Sequence, residues 1–232
     1  MTMTADALVE PCPRCAKPAA LCICDRIVPV ATRLSLVILM HPQEQDKALA
    51  TARLAAQHVE GAVLKIGLSW PSLAKVLGRD VDPQRFAVLY LGSADATALR
   101  SDSGVVALDR KGVPEPDQAR ILRGIEGIIV LDGTWSQAKT LWWRNPWLLK
   151  CRRVVLTPPA PSRYGRLRRE ARRAGLSTIE AVAMLMARLE RRPPIEAAML
   201  ASFETMLAAY RAALPTMPEL APKPRIKRRR PA

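Results

Sequence analysis

Four of the five cysteines fall within thirteen residues, as Cys12-x2-Cys15-x6-Cys22-x-Cys24. Zinc takes four thiolates at the corners of a tetrahedron, and a C-x2-C turn presents two sulfurs from one knuckle. The second pair has a one-residue gap, which suits an extended backbone because alternate side chains point the same way. A redox-active C-x2-C or an iron–sulfur cluster would use the same residue type, so both stay open beside zinc. Four thiolates leave no coordination position for a substrate, and the expected role of such an ion is to fold the segment.

A second set, Asp132-Gly133-Thr134-Trp135, follows the apolar residues Ile128 to Leu131 directly. A carboxylate there could accept a proton from a substrate, with partial burial raising its pKa. The plainer alternative is that Asp132 and Thr134 cap a helix while Trp135 fills core. A third set begins at Ser162-Arg163-Tyr164-Gly165-Arg166-Leu167-Arg168-Arg169, with six arginines between positions 163 and 173 and Glu170 alone to offset them. Guanidinium forks match phosphates, and an aromatic ring among them can stack on a base. A solvated helical face is the alternative. His41 and Glu44 stand just after another apolar run.

The elements that would carry these residues alternate between strand and helix. Leu34 to Met40 reads as a buried strand ending at His41-Pro42, Asp46 to His58 as a helix, and Ala62 to Ile66 as a short strand. Arg85 to Leu91 is a strand running into Gly92, and Asp117 to Arg123 a helix closed by Gly124. Gly127 to Leu131 is the clearest buried strand. Thr134 and Gln137 form a capping box for the helix after it, which Asn145-Pro146 stops. Arg153 to Leu156 is a strand halted by Pro158-Pro159. Ser177 and Glu180 make a second capping box, opening a helix that Pro193 ends, and a last amphipathic helix starts near Pro194. Apolar strands alternating with helices predict an α/β domain with a mostly parallel sheet covered on both faces, with the active rim beyond the strand carboxyl ends. The division expected is residues 1–30 as the four-cysteine segment, 31–214 as the catalytic domain, and 215–232 as a disordered basic tail.

The 232 residues carry 36 Lys and Arg against 21 Asp and Glu, a net charge of +15. Such an excess favours a polyanionic partner, because each neutralised phosphate releases a counterion. No apolar run approaches the roughly 20 residues that span a bilayer, and residues 1–10 lack a secretory signal's basic start. The expectation is a cytoplasmic protein without a membrane partner. No phosphate-binding P-loop, dinucleotide glycine motif, H-E-x-x-H or G-x-S-x-G is present, so the chemistries those motifs serve lose support.

In order along the chain, the cysteine cluster, His41-Pro42-x-Glu44, Asp132-x-Thr134-Trp135, Ser162-x-Tyr164 with its arginines, and Ser177-Thr178-x-Glu180 resemble the DTW-domain family. The resemblance covers Cys12 to about Leu189. It implies a SPOUT-like α/β fold with a knotted C-terminal part. It also implies transfer of the 3-amino-3-carboxypropyl group from S-adenosylmethionine to N3 of a tRNA uridine. The family's arginine follows the tyrosine more closely than here, where Gly165 and Arg166 precede Arg168. On that reading Asp132, Thr134 and Trp135 are catalytic, with Asp132 taking or orienting the N3 proton and Trp135 stacking on the base. Leu91, Gly92, Leu131, Leu156 and Pro158 hold the adenosine moiety, Asp132 also belongs to the donor site, and the helix start at Ser177-Thr178 receives the methionine carboxylate. His41, Arg163, Tyr164, Arg166, Arg168 and Arg169 contact tRNA. An RNA methyltransferase with a similar donor site, or a noncatalytic RNA-binding zinc module, would share many of these features.

Overall fold

The computed structural model describes residues 11–89, 104–157, 160–165, 167 and 175–220. Leu91, Gly92, Pro158, Arg166, Arg168 and Arg169 lie outside the described residues. Among those described, the chain runs β1 (Ser35–Met40), α1 (Ala52–Gln57), β2 (Val63–Ile66), α2 (Leu73–Leu77), β3 (Phe86–Leu89), β4 (Val105–Leu108), α3 (Gln118–Arg123), β5 (Gly127–Asp132), α4 (Trp135–Arg144), β6 (Arg152–Leu156), α5 (Thr178–Glu190) and α6 (Pro193–Ala213).

The six strands form one sheet in the order β2-β1-β5-β3-β6-β4. Five are parallel, and β4 alone runs antiparallel, against β6. Side chains alternate across the sheet, and both faces are apolar. Leu36, Ile38, Met40, Ile128 and Val130 face α1, α5 and α6. Val37, Leu39, Ile129 and Leu131 face α2, α4 and the turn carrying Trp147 and Leu148. Gly127 admits the ring of Phe86, its register partner, where a Cβ would stand 2.2 Å from that ring.

Connections leave the central strands in opposite directions. From β1 the chain crosses the α1 face to β2, whereas from β5 it crosses the α4 face to β6. That reversal puts a topological switch point between β1 and β5, the place where open α/β sheets form ligand crevices. His41 follows β1 directly, and Asp132 ends β5.

Three expectations change. The helix expected over 46–58 is confined to Ala52–Gln57. The carbonyls of Ala48 and Leu49, which an earlier helix start would turn along its axis, accept instead from Lys17 Nζ and the Tyr164 hydroxyl. The disordered tail does not start at 215. Thr216 and Met217 bond back to Ala213, Tyr210 donates to the Leu220 carbonyl, and Met217 and Leu220 pack on the core. The residues of that tail from 221 onward lie outside those described. Finally, β4 and α2 have no counterpart in the sequence reading. No helix among the described residues is long and apolar enough to cross a membrane.

Candidate active site and cysteine cluster

Asp132 is the last residue of β5, paired in register with Met40 of β1. Its backbone carbonyl accepts from His41 N–H at 2.9 Å, which extends the β1–β5 ladder by one bond and fixes the carboxylate at the rim. The side chain is 6% exposed, and its Oδ1 accepts from the Thr178 hydroxyl at the start of α5. The expected capping boxes are both present. Thr134 Oγ1 accepts from Gln137 N–H while Gln137 Oε1 accepts from Thr134 N–H at 2.6 Å, so α4 starts at the rim with Trp135 in its first turn. Trp135 is half-buried, Thr134 is exposed, and Lys139 Nζ lies 5.9 Å from the indole centroid.

His41 is partly exposed and caps the turn Pro42–Glu44, its Nδ1 accepting from Gln43 N–H at 3.2 Å. Gln137 Nε2 donates to Gln43 Oε1 at 3.1 Å, tying that turn to the start of α4. The two motifs that flank the switch point are therefore one bonded unit, although 94 positions separate them. Glu44 is buried and pairs with Lys47.

The second capping box does more than start a helix. Glu180, 4% exposed, accepts from Ser177 N–H and its hydroxyl, from the Ser162 hydroxyl at 2.6 Å and from Arg163 N–H at 2.8 Å. Four donors meet the hydrogen-bonding demand of a buried carboxylate. They also clamp residues 162–164 beneath the start of α5. The amides of Ser177, Ile179 and Glu180 donate to Glu180 Oε2, Thr51 Oγ1 and Ser177 Oγ respectively. The α5 start therefore lacks the open row of amides expected to receive a donor carboxylate. Ser177 is a buried cap, and Thr178 serves Asp132.

Tyr164 is corrected as an RNA contact. Its ring is 2% exposed, meets Phe203 of α6 edge-on at 5.0 Å, and its hydroxyl donates to the Leu49 carbonyl at 2.6 Å. A ring held on those sides cannot stack on a base, and the arginines beside it took the expectation to the wrong surface. Tyr164→Phe is expected to lower stability by about 1–2 kcal/mol, since the Leu49 carbonyl loses its donor inside the protein. Tyr164→Ala should cost about 3–5 kcal/mol. Urea midpoints check both, and an unmoved midpoint in the alanine variant would show that the clamp does not hold the core. Arg163, half-exposed, pairs with Glu204 of α6. Leu156 ends β6 at the same rim.

In the N-terminal segment, all four sulfurs of Cys12, Cys15, Cys22 and Cys24 lie within 4.8 Å of one another, a set able to hold a metal ion. Cys12 Sγ and Cys24 Sγ stand 3.9 Å apart. A tetrahedron with bonds of about 2.3 Å has edges of about 3.8 Å. The backbone N–H of Cys15 draws the Cys12 thiol down to about 6, while burial pushes Cys15 and Cys24 up. Leu21 and Ile23, interleaved with these cysteines, belong to the same apolar cluster as Met199 and Phe203 of α6. The segment is thus sewn into the main core. Cys151 is buried, and burial pushes its thiol up to about 12, which keeps it an inert apolar filler.

Comparison with known proteins adds the family. Three similar proteins each bear the name tRNA-uridine aminocarboxypropyltransferase 2. The one from Drosophila melanogaster is 28% identical over 201 residues, which is 84% of this chain and 72% of that protein. Those from Macaca fascicularis and Mus musculus are each 27% identical over 84% of this chain, which spans only 61% of either relative. No solved structure matches. The DTW domain model covers residues 9–211, from the cysteine segment through nearly all of α6, and the chain belongs to that family.

Proposed function

We propose that this protein transfers the 3-amino-3-carboxypropyl group of S-adenosylmethionine to N3 of a uridine in tRNA, in the cytoplasm. The observation that carries the reading is the buried Asp132 carboxylate at the β1–β5 switch point, oriented by Thr178, with Trp135 opening α4 three residues further on. The names of the relatives and the net charge of +15 support tRNA as the partner.

Uridine N3 carries a proton that must leave before the nitrogen can attack carbon. Asp132 accepts or orients that proton, and the Thr178 hydroxyl holds the carboxylate in position while it does so. Trp135 and Thr134 receive the base at the rim, which requires the base to leave its stack. The face of the Trp135 indole also suits a cationic sulfonium. The donor, when bound, supplies an electrophilic carbon attached to sulfur. The strand-end backbone at Leu131 and Leu156, with Leu91, Gly92 and Pro158 from the sequence reading, holds its adenosine moiety. His41, Arg163, Arg166, Arg168 and Arg169 engage the RNA. With this reading go a SPOUT-like assignment and a C-terminal knot. In favour of both are the parallel strand order and the return of α5 to the rim. Zinc, bound by Cys12, Cys15, Cys22 and Cys24, folds the N-terminal segment. We divide the chain into that segment (1–30), the catalytic domain from 31, and a basic tail.

Incubation with bulk tRNA and S-adenosylmethionine labelled in its aminocarboxypropyl carbons tests the reading. The label is expected in a tRNA uridine, with methylthioadenosine released. Release of S-adenosylhomocysteine would instead identify a methyltransferase, and no transfer by protein that binds tRNA would leave a noncatalytic module.

A further inference from the structure

From Trp135 at the rim, α4 runs down the outside of the sheet, and its exposed side is unlike an ordinary solvated helix face. Residues 135, 139, 142 and 143 follow the i, i+4, i+7, i+8 spacing of one helix side. They are Trp, Lys, Trp and Trp, of which Trp135 and Trp142 are partly buried, Trp142 against the core, while Lys139 and Trp143 are exposed. Trp143 is 76% exposed, an unusual position for so large an apolar ring. Lys139 lies over the Trp135 ring, and the Arg153 guanidinium of β6 lies 5.6 Å from the Trp142 centroid. Arg144, exposed, closes the helix beside Trp143.

The composition of the chain on either side of α4 points the same way. Between Asp132 and Glu170 stand nine Lys or Arg and four of the five tryptophans, with no Asp or Glu at all. A helix side that exposes the Trp143 ring and sets Lys139 and Arg144 near it, with no acid in α4, complements a polyanion whose units have flat faces. Single-stranded nucleic acid has both properties, because phosphates meet the cations while bases stack on the rings. An anionic membrane interface also accepts indoles beside cations, and the tRNA in the names of the relatives decides for nucleic acid.

We infer that the outer face of α4 is a stacking track for the single-stranded nucleotides flanking the target base, with Trp143 as its principal platform and Lys139 and Arg144 as its phosphate contacts. The inference rests on the proposed function in taking RNA as the occupant. Eight helical steps separate Trp135 from Trp143, an axial distance of about 12 Å. A stacked strand covers that in about three to four nucleotides at about 3.4 Å each. Trp135 thus takes the target base, and Trp143 a base a few positions along the same loop.

The test is binding of full-length protein to a fluorescein-labelled single-stranded oligouridine 12-mer, read by anisotropy at several salt concentrations. Trp143→Ala should raise Kd about tenfold, the order of one lost base stack, while Trp143→Phe should stay within about threefold of wild type. Lys139→Glu combined with Arg144→Glu should weaken binding and reduce the salt slope by about two phosphate contacts. A Trp143→Ala variant with unchanged circular dichroism and a Kd within about twofold of wild type would overturn the track. So would an unaltered salt slope in the charge-reversed variant. Wild-type protein that modifies tRNA while Trp143→Ala binds normally sinks the track and leaves the function standing. Wild-type protein that binds no RNA sinks both.

Discussion

Asp132→Asn is expected to fold normally and to lose transfer activity by about a hundredfold to ten-thousandfold, the range of a positioned proton acceptor. Asparagine has the shape of aspartate and keeps a carbonyl oxygen for the Thr178 hydroxyl to meet, so the bond between β5 and α5 survives. What disappears is the basicity of the oxygen facing the substrate. Thr178→Val is the complementary change, because it removes the donor that orients Asp132 and spares the carboxylate. It should lower turnover by a smaller factor, in the range of a lost hydrogen bond of about 1–3 kcal/mol. Single-turnover transfer to tRNA, with thermal unfolding as the control for folding, separates the two. Near-normal turnover in the asparagine variant would remove Asp132 from the chemistry.

Loss of the cysteine-bound ion should be felt well beyond the segment that binds it. The purified protein is expected to contain one zinc per chain, and Cys24→Ser or prolonged chelation should abolish that stoichiometry and destabilise the whole domain. Leu21 and Ile23, tethered among the cysteines, are packed into the cluster that includes Met199 and Phe203. Each such side chain, if released to water, forfeits about 1.5–3 kcal/mol, so the loss should reach about 3–6 kcal/mol. Lys17, 4% exposed with its ammonium on the Ala48 carbonyl, would be freed at the same time and loosen the approach to α1. Metal content by atomic emission and the unfolding midpoint before and after chelation measure this. Metal-free protein that melts at the same temperature would show the four thiols to be packing groups only.

Family motifs and local rules reached far into this molecule. Apolar runs bounded by Pro, Gly and caps located β1, β2, β3, β5 and β6. Both capping boxes, at Thr134 and Ser177, formed as their spacing implied. These are short-range signals, since a cap involves residues three apart and a buried strand is written in a handful of consecutive side chains. The clustering of four sulfurs was legible for the same reason.

What sequence reading got wrong was long-range. A helix over 46–58 is locally plausible, yet Lys17 and Tyr164, 31 and 115 positions away from their acceptors, claim the carbonyls at its start. Tyr164 sits among arginines in the chain but in the core in space, because Phe203 and the Leu49 carbonyl reach it only when α6 and the 42–51 turn close over it. Likewise Glu180 is a routine capping residue by spacing, and only the folded chain brings Ser162 and Arg163 to it.

The sequence by itself determined which residue types are available for chemistry and where most of the strands and helices lie, because those properties depend on side-chain type and near neighbours. Tertiary structure alone decided which of them meet. It set Thr178 on Asp132 and Gln43 on Gln137, sank Tyr164, and left Trp143 bare. The physical reason is that strand order and helix packing choose among partners dozens of residues apart, through burial and hydrogen bonding that no local pattern encodes.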